Sequence, residues 1–388
     1  MNSVKVLFAT TLGTGHFNPL VQYAKEMSRR GHNVAFAARI ELADRISALG
    51  FKHFVLDRPD QKELEAIWAR TKGLSEEETI RIYVKETFGG VTARAALPSM
   101  RDAIADWSPD LVVRETVEFS SIVAAQAAGI PHARVEVHAA QGEEKYSYAG
   151  VEALDALREG LGLSADGGDA YLREPAFSSF PEALDGMVAR RGVPTFRVGP
   201  SDTSKRHEVS DASWTRDDGR PLVYVTFGTA TQNFDHAKSI YRVALEAVSE
   251  LPIRALLTTG SELSPDVIGA IPENTTVLPW VAQVDVFPLA SAMLHHGGSG
   301  TLLGGLAAGL PMVVAPLFAD QPINAKQVEE SGAGLAVLDP SPAKLRSAIE
   351  RVLSQKKFQN GAKGIAADMA KMPKIKVAVD KLLEPIVG

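Results

Sequence analysis

Ala292-Met293-Leu294-His295-His296-Gly297-Gly298-Ser299-Gly300-Thr301 reads as a buried strand that runs into a glycine-rich turn and then a helix. Ala292 to Leu294 end the strand, and the run from Thr301 to Ala308 is helical, closing at Gly309-Leu310-Pro311. Such a unit belongs to a βαβ fold, and its helix start offers backbone N–H groups without intrahelical partners together with the positive end of a dipole. Glycines at the turn let an anion approach the backbone closely, and His295 is placed to donate to a phosphate oxygen. Upstream, Pro279-Trp280-Val281-Ala282-Gln283 supplies a flat apolar face on which a base can stack. Downstream, Phe318-Ala319-Asp320-Gln321 supplies the acceptors and donors that hydroxyls require. Base, diphosphate and polyol in that order describe a nucleotide sugar.

The rest of the chain repeats this alternation. Strands are expected at Val4 to Thr10, Asn33 to Ala38, Phe51 to Leu56, Leu111 to Val113 and His132 to Val137. Helices are expected from Pro19 to Arg30, from Leu42 to Leu49, and up to Ala128. Asp57 to Trp107 loosens into helices with a break at Gly89-Gly90, and His138 to Arg191 is a second irregular region. A polar, non-periodic stretch over 201–219 reads as a linker, after which strands and helices resume from Leu222. Residues 1–200 and 220–388 are therefore two Rossmann-like α/β domains, expected to face each other across a cleft, with the last helix packing back on the first.

Trp-x-x-Gln, His-x-Gly-x-x-Gly-Thr and Asp-Gln, in that order across 42 residues, resemble the donor-binding signature of glycosyltransferase family 1, and in particular of its bacterial natural-product members. The resemblance implies the two-domain GT-B fold. It implies that Trp280 stacks on a uracil or thymine, that His295 and Gly297, Gly298, Ser299, Gly300 and Thr301 bind the diphosphate, and that Asp320 and Gln321 hold sugar hydroxyls. Val281 and Gln283 belong to the same donor region, as do Gly15 and the pair Gly228-Thr229, whose threonine matches a phosphate-contacting position. Gly-His-x-x-Pro after the first strand resembles the motif of the catalytic base, which assigns that role to His16. A histidine near neutrality suits removal of an acceptor proton. Its orienting acid is expected at Glu115, fourteen residues before Gly129, with Glu118 as the alternative. UDP-sugar members commonly carry a Glu eight residues after the phosphate-binding His; here that position is Leu303, which implies dTDP over UDP.

The expected activity is an inverting, metal-independent transfer of a sugar, a deoxysugar by the same resemblance, to a small and largely apolar aglycone. No Asp-x-Asp pair is present to hold a cation, so neither metal nor cofactor is expected. With no cysteine there is no disulfide or thiol chemistry, and a net charge of −6 speaks against a nucleic-acid surface. The start of the chain shows no cleavage-site pattern and no apolar run approaches ~20 residues, so a cytoplasmic protein without integral membrane contact is expected, with a homodimer allowed. Gly13-x-Gly15 and Gly298-x-Gly300 also partly match a dinucleotide fingerprint, but Asn18 stands at the third glycine and Arg39 at the acid, which weakens an NADP oxidoreductase. A nucleotide-sugar 2-epimerase, a lipid-acceptor transferase and a non-catalytic sugar-nucleotide-binding partner remain as other classes.

Overall fold

The computed structural model describes residues 3–11, 13–185, 195–200, 213–228, 235–260 and 268–387. The chain forms two compact units: Met1–Ser179, Met187–Val198 and Pro373–Gly388 make up the first, Phe180–Gly186 and Gly199–Met372 the second. The C-terminal helix Ile375–Val387 thus counts with the first unit, where Ala378, Val379, Leu382 and Leu383 join its core. Of the expected linker, residues 201–212 lie outside the described residues.

The first unit is built on β1 (Lys5–Ala9), β2 (Asn33–Ala38), β3 (Lys52–Val55), β4 (Leu111–Glu115), β5 (His132–Glu136), β6 (Ala176–Ser178) and β7 (Thr195–Arg197). All pair in parallel, in the order β3-β2-β1-β4-β5-β6-β7. Strand alternation explains the apolar run of β1. Val6 and Phe8 face the helix Thr14–Arg29 through Phe17, Leu20 and Met27, while Leu7 and Ala9 face the helix Ala93–Trp107 through Ala96, Met100 and Ile104.

Three expectations need correction here. The first helix starts at Thr14 rather than Pro19, because Gly13, at φ 130, turns the chain and its carbonyl accepts from His16 and Phe17 at 3.2 and 3.0 Å. No break occurs at Gly89-Gly90: a π-helix, Tyr83–Thr92, runs straight into Ala93–Trp107, and a Cβ on Gly89 would meet that of Ala153 at 2.5 Å. The second irregular region holds a 21-residue helix, Ala140–Gly160. Its Gly150 lets the Phe119 ring approach where a Cβ would lie 2.7 Å from Cζ, and Tyr146, Leu154 and Leu157 pack with Phe119 and Tyr171.

The second unit holds β8 (Leu222–Thr226), β9 (Arg254–Thr258), β10 (Thr275–Leu278), β11 (Ala292–His295), β12 (Met312–Val314) and β13 (Gly334–Ala336). They form a parallel sheet in the order β10-β9-β8-β11-β12-β13. The helix Asp235–Ser249 packs Ile240, Ala244, Ala247 and Val248 on Val223, Val225 and Leu294. In each sheet the strand order reverses once, between β1 and β4 in the first and between β8 and β11 in the second. At such a switch point successive crossovers leave in opposite directions and open a crevice beyond the carboxyl ends of the strands. Among the described residues no helix is long and apolar enough to cross a membrane.

Candidate active site

In the first unit the switch point joins two residues 99 positions apart. His16 stands on the first turn of the helix after β1, and Glu115 is the last residue of β4. His16 Nδ1 lies 3.1 Å from Glu115 Oε2. The imidazole is partly exposed, at 24%, while the carboxylate is fully buried. Glu115 is held from several directions: Oε1 accepts from the Thr11 hydroxyl at 2.6 Å and the Thr11 N–H at 3.1 Å, and Oε2 accepts from the Val117 N–H at 2.9 Å. Burial alone would raise its pKa, but His16 and these hydrogen bonds outweigh burial and hold it at about 2. A carboxylate that is ionised near neutral pH and held by three further hydrogen bonds fixes the tautomer of the imidazole that it bonds, leaving the other ring nitrogen to accept a proton. Glu118 serves elsewhere. It accepts from Ser120 and Ser121 at the start of the helix Ser120–Ala127, and burial pushes its pKa up. Gly15 beside His16 is exposed, with nothing near the position a Cβ would take.

The turn after β4 is tied down from below. Arg114, fully buried, donates through Nη1 to the carbonyls of Glu115, Thr116 and Glu118 at 3.0, 3.0 and 3.3 Å. Its other nitrogens pair with the buried Glu174. Nothing in the sequence marked Arg114, since a charged residue within an apolar strand reads as a solvent-facing position unless its partner is known.

In the second unit Thr226 pairs with His295 across the switch point, bringing Gly228 beside the turn at Gly297. His295 departs from the expectation. It is the last residue of β11 and fully buried, with Nδ1 accepting the Gly297 N–H at 3.1 Å and Nε2 3.2 Å from the Met312 sulfur. Burial, with His296 next to it, lowers its pKa to about 3. A ring so enclosed reaches no phosphate. His296 points to the other side, as alternation requires, and lies against Gly228 and Gly298: a Cβ at Gly228 would be 2.8 Å from its Cε1 and Nε2. Its Nδ1 is buried without a hydrogen-bond partner among the described residues, and burial brings its pKa down to about 4, against the opposing influence of Asp320 and the Thr226 backbone. The period-two pattern Ala292, Leu294, His296 against Met293, His295 was the signal that separates the two histidines.

Gly298 precedes the helix Ser299–Ala307, whose start has no side-chain cap, so the first N–H groups remain available. Gly297, at φ 91, sits where a Cβ would press on Val314 at 3.0 Å and on the Gln321 carbonyl at 3.1 Å. Gly300 faces open space, and Gln283 Nε2 donates to Thr301 Oγ1 at 3.1 Å. Asp320 Oδ2 accepts from Ser299 Oγ at 3.2 Å and from Asn324 Nδ2 at 3.0 Å, and Asn324 also bonds the Gly297 carbonyl at 2.9 Å. Asn324, missed in the sequence, thus pins the acid to the glycine turn. Gln321 is buried, its Oε1 accepting from the Leu317 and Phe318 N–H groups at 2.8 and 3.1 Å. Trp280 is 68% exposed beside the half-buried Val281. Thr229 lies outside the described residues.

Two domain models of the erythromycin biosynthesis protein CIII-like family match the chain, the N-terminal one over residues 26–159 and the C-terminal one over residues 242–384. The elloramycin glycosyltransferase ElmGT of Streptomyces olivaceus is 30% identical over 280 residues, covering 71% of this chain and 69% of its own. The chain belongs to this glycosyltransferase family. The L-demethylnoviosyl transferase of Streptomyces niveus is 28% identical over 384 residues, covering 98% of this chain and 97% of its own. The glycosyltransferase SsfS6 of Streptomyces sp. SF2575, solved with thymidine diphosphate, superposes with a TM-score of 0.77 at 21% identity, covering 98% and 99% of the two chains. The fold is GT-B and the protein is an antibiotic-type glycosyltransferase, an enzyme of the hexosyl- and glycosyl-transferring class. Membership sets aside the oxidoreductase and the non-catalytic readings.

Proposed function

We propose that this glycosyltransferase moves a sugar, with inversion, from a dTDP-sugar to a hydroxyl of a small, largely apolar natural-product aglycone. The observation that carries the reading is the His16–Glu115 pair at the switch point of the first sheet. The free nitrogen of His16 takes the acceptor proton as the acceptor oxygen bonds to the anomeric carbon. The bond from that carbon to the diphosphate breaks, and the nucleoside diphosphate leaves. Charge on the departing diphosphate is met by the N–H groups of Ser299, Gly300 and Thr301 at the uncapped start of the helix. Asp320 is the acceptor for sugar hydroxyls. Incubation with several nucleotide sugars and a panel of aglycones, followed by mass spectrometry, tests the reading; a panel without any glycosylated product would count against it.

Trp280 is the base platform in this reading, and its exposed ring leaves a face free. Trp280→Ala is expected to weaken nucleoside diphosphate binding by about 1 to 3 kcal/mol, the scale of base stacking. Calorimetry showing unchanged affinity would move the base elsewhere.

The preference for dTDP rests on a missing acid. Counted from His296, the eighth residue is Gly304, where a Cβ would lie 2.7 Å from the Phe287 ring; counted from His295 it is Leu303. Neither accepts a hydrogen bond from a ribose 2′-hydroxyl, and leaving that group partly unpaired costs about 1 to 3 kcal/mol. Binding of dTDP is therefore expected to be at least ~10-fold tighter than binding of UDP, or 1.4 kcal/mol. The thymidine diphosphate seen in SsfS6 supports this choice of nucleotide. Parallel titrations decide it, and equal or tighter UDP binding would refute it.

The reaction is further proposed to need no cation, because neutralisation of the diphosphate falls to backbone N–H groups rather than to a carboxylate-bound metal. EDTA should leave turnover unchanged; loss of activity restored by magnesium or manganese would show that a cation shares the task.

A further inference from the structure

A second carboxylate–imidazole pair stands beside the first. β4 and β5 pair in register, Glu115 opposite Val135, and the chain beyond β5 places His138 next to His16. Their rings meet edge to face, with centroids 6.5 Å apart and planes at 76°. His138 is buried, its Nδ1 3.2 Å from Glu143 Oε1 and its ring stacked on Tyr146 with centroids 4.1 Å apart at 23°. Glu143 is fixed in turn: the same Oε1 accepts from Thr116 Oγ1 at 2.7 Å, the His138 N–H at 3.0 Å and the Val137 N–H at 3.2 Å. The helix that carries Glu143 and Tyr146 closes on His138 at Gly142, where a Cβ would lie 2.9 Å from that of His138. Thr116 lies between Glu115 and Val117, so one turn of chain anchors both carboxylates.

His16, by contrast, has little around it on its own helix. Gly15 precedes it in the first turn, and among the described residues the hydrogen bond to Glu115 is what steadies the ring in plane. An imidazole bonded through one nitrogen can still swing about its side-chain torsions. The rings that limit this swing are His138 and Phe88, the latter with its centroid 6.3 Å away.

We propose that His138 is a positioning residue for His16: clamped by Glu143 and Tyr146, its ring holds the base in the orientation that bonds Glu115 and aims the second nitrogen at the acceptor. The proposal rests on His16 being the base. It assigns to His138 an effect exerted through its ring rather than through proton transfer, and that distinction is testable. His138→Phe keeps a ring against His16 and Tyr146 but loses the Glu143 bond; His138→Asn keeps a donor for Glu143 but loses the ring.

The experiment follows the full chain with dTDP-glucose, or the nucleotide sugar found active in the aglycone panel, and records the nitrogen-15 signals of the His16 ring, assigned with His16→Ala. His138→Ala and His138→Asn are expected to lower kcat about tenfold at unchanged donor KM, a smaller loss than the roughly 100-fold of a full 1 Å misplacement of a catalytic group. In both, the His16 signals lose the signature of a single Nδ1–H tautomer, while His138→Phe retains both the signature and most of the turnover. His16 ring signals unchanged in His138→Ala would overturn the proposal even if turnover falls, because that combination marks a merely structural role. So would a wild-type His138→Asn beside an impaired His138→Phe. Wild-type turnover in His16→Ala would instead remove the reading of His16 as base, an outcome the ring signals do not depend on.

Discussion

His16→Ala is expected to lower turnover by about 100-fold or more while nucleoside diphosphate affinity stays nearly unchanged, the pattern for loss of a general base. The split follows from the arrangement of the chain. His16 and Glu115 belong to the first unit, whereas the residues proposed to hold the nucleotide, from Gly228 to Gln321, belong to the second. Removing the imidazole also leaves Glu115 with three of its four hydrogen bonds, from Thr11 N–H, Thr11 Oγ1 and Val117 N–H, so the buried carboxylate stays solvated by the protein and the fold survives. Steady-state kinetics beside a dTDP titration measure both quantities. Unchanged turnover would remove His16 from the mechanism, and a parallel loss of nucleotide affinity would mean that the variant acts on structure rather than on proton transfer.

The alternation of strands and helices was legible because the parallel strands are buried on both faces: Val6 and Phe8 serve one layer and Leu7 and Ala9 the other, so β1 reads as a continuous apolar run. The glycine turn after β11 was equally plain, since backbone that must bend sharply and stay bare leaves glycines in the sequence. Which histidine faces the turn was harder, because the string His295-His296 is the same whichever side each takes; only the alternation from Ala292 through His296 decides. The helix Ala140–Gly160 was hidden by Gly142 and Gly150, residues that weaken a helix locally but here admit His138 and the Phe119 ring at close range. The pairing of His16 with Glu115 depends on β1 lying next to β4, a fact of topology that no local pattern encodes. The resemblance to a known family supplied it.

Glu174→Gln is expected to destabilise the first unit by about 3 to 5 kcal/mol, the cost of breaking a buried ion pair by removing one partner. Glu174 is fully buried between β5 and β6, and it meets three cationic or ionisable groups: Arg114, Arg134 with Nη1 at 3.3 Å, and His132 with Nδ1 at 2.8 Å. Burial would raise its pKa, but Arg114, the His132 hydrogen bond and Arg134 prevail and hold it at about 2. An amide accepts hydrogen bonds but leaves the Arg114 charge uncompensated in a place that excludes water. The loss has a functional arm, because the same guanidinium fixes the carbonyls of Glu115, Thr116 and Glu118 beneath the proposed base. The sign of the pH dependence follows from the direction of the shift. A carboxylate whose folded pKa is depressed contributes its stabilisation in full above its unfolded value, near pH 4.5, and loses it as pH falls toward about 2; Glu115 behaves alike. Urea denaturation at pH 7 should therefore show a lower midpoint for Glu174→Gln at an unchanged slope. The gap to the wild type should narrow as pH is lowered through that window. A difference under about 1 kcal/mol at pH 7, within the range of an exposed pair, would show that the Arg114–Glu174 contact adds little to stability.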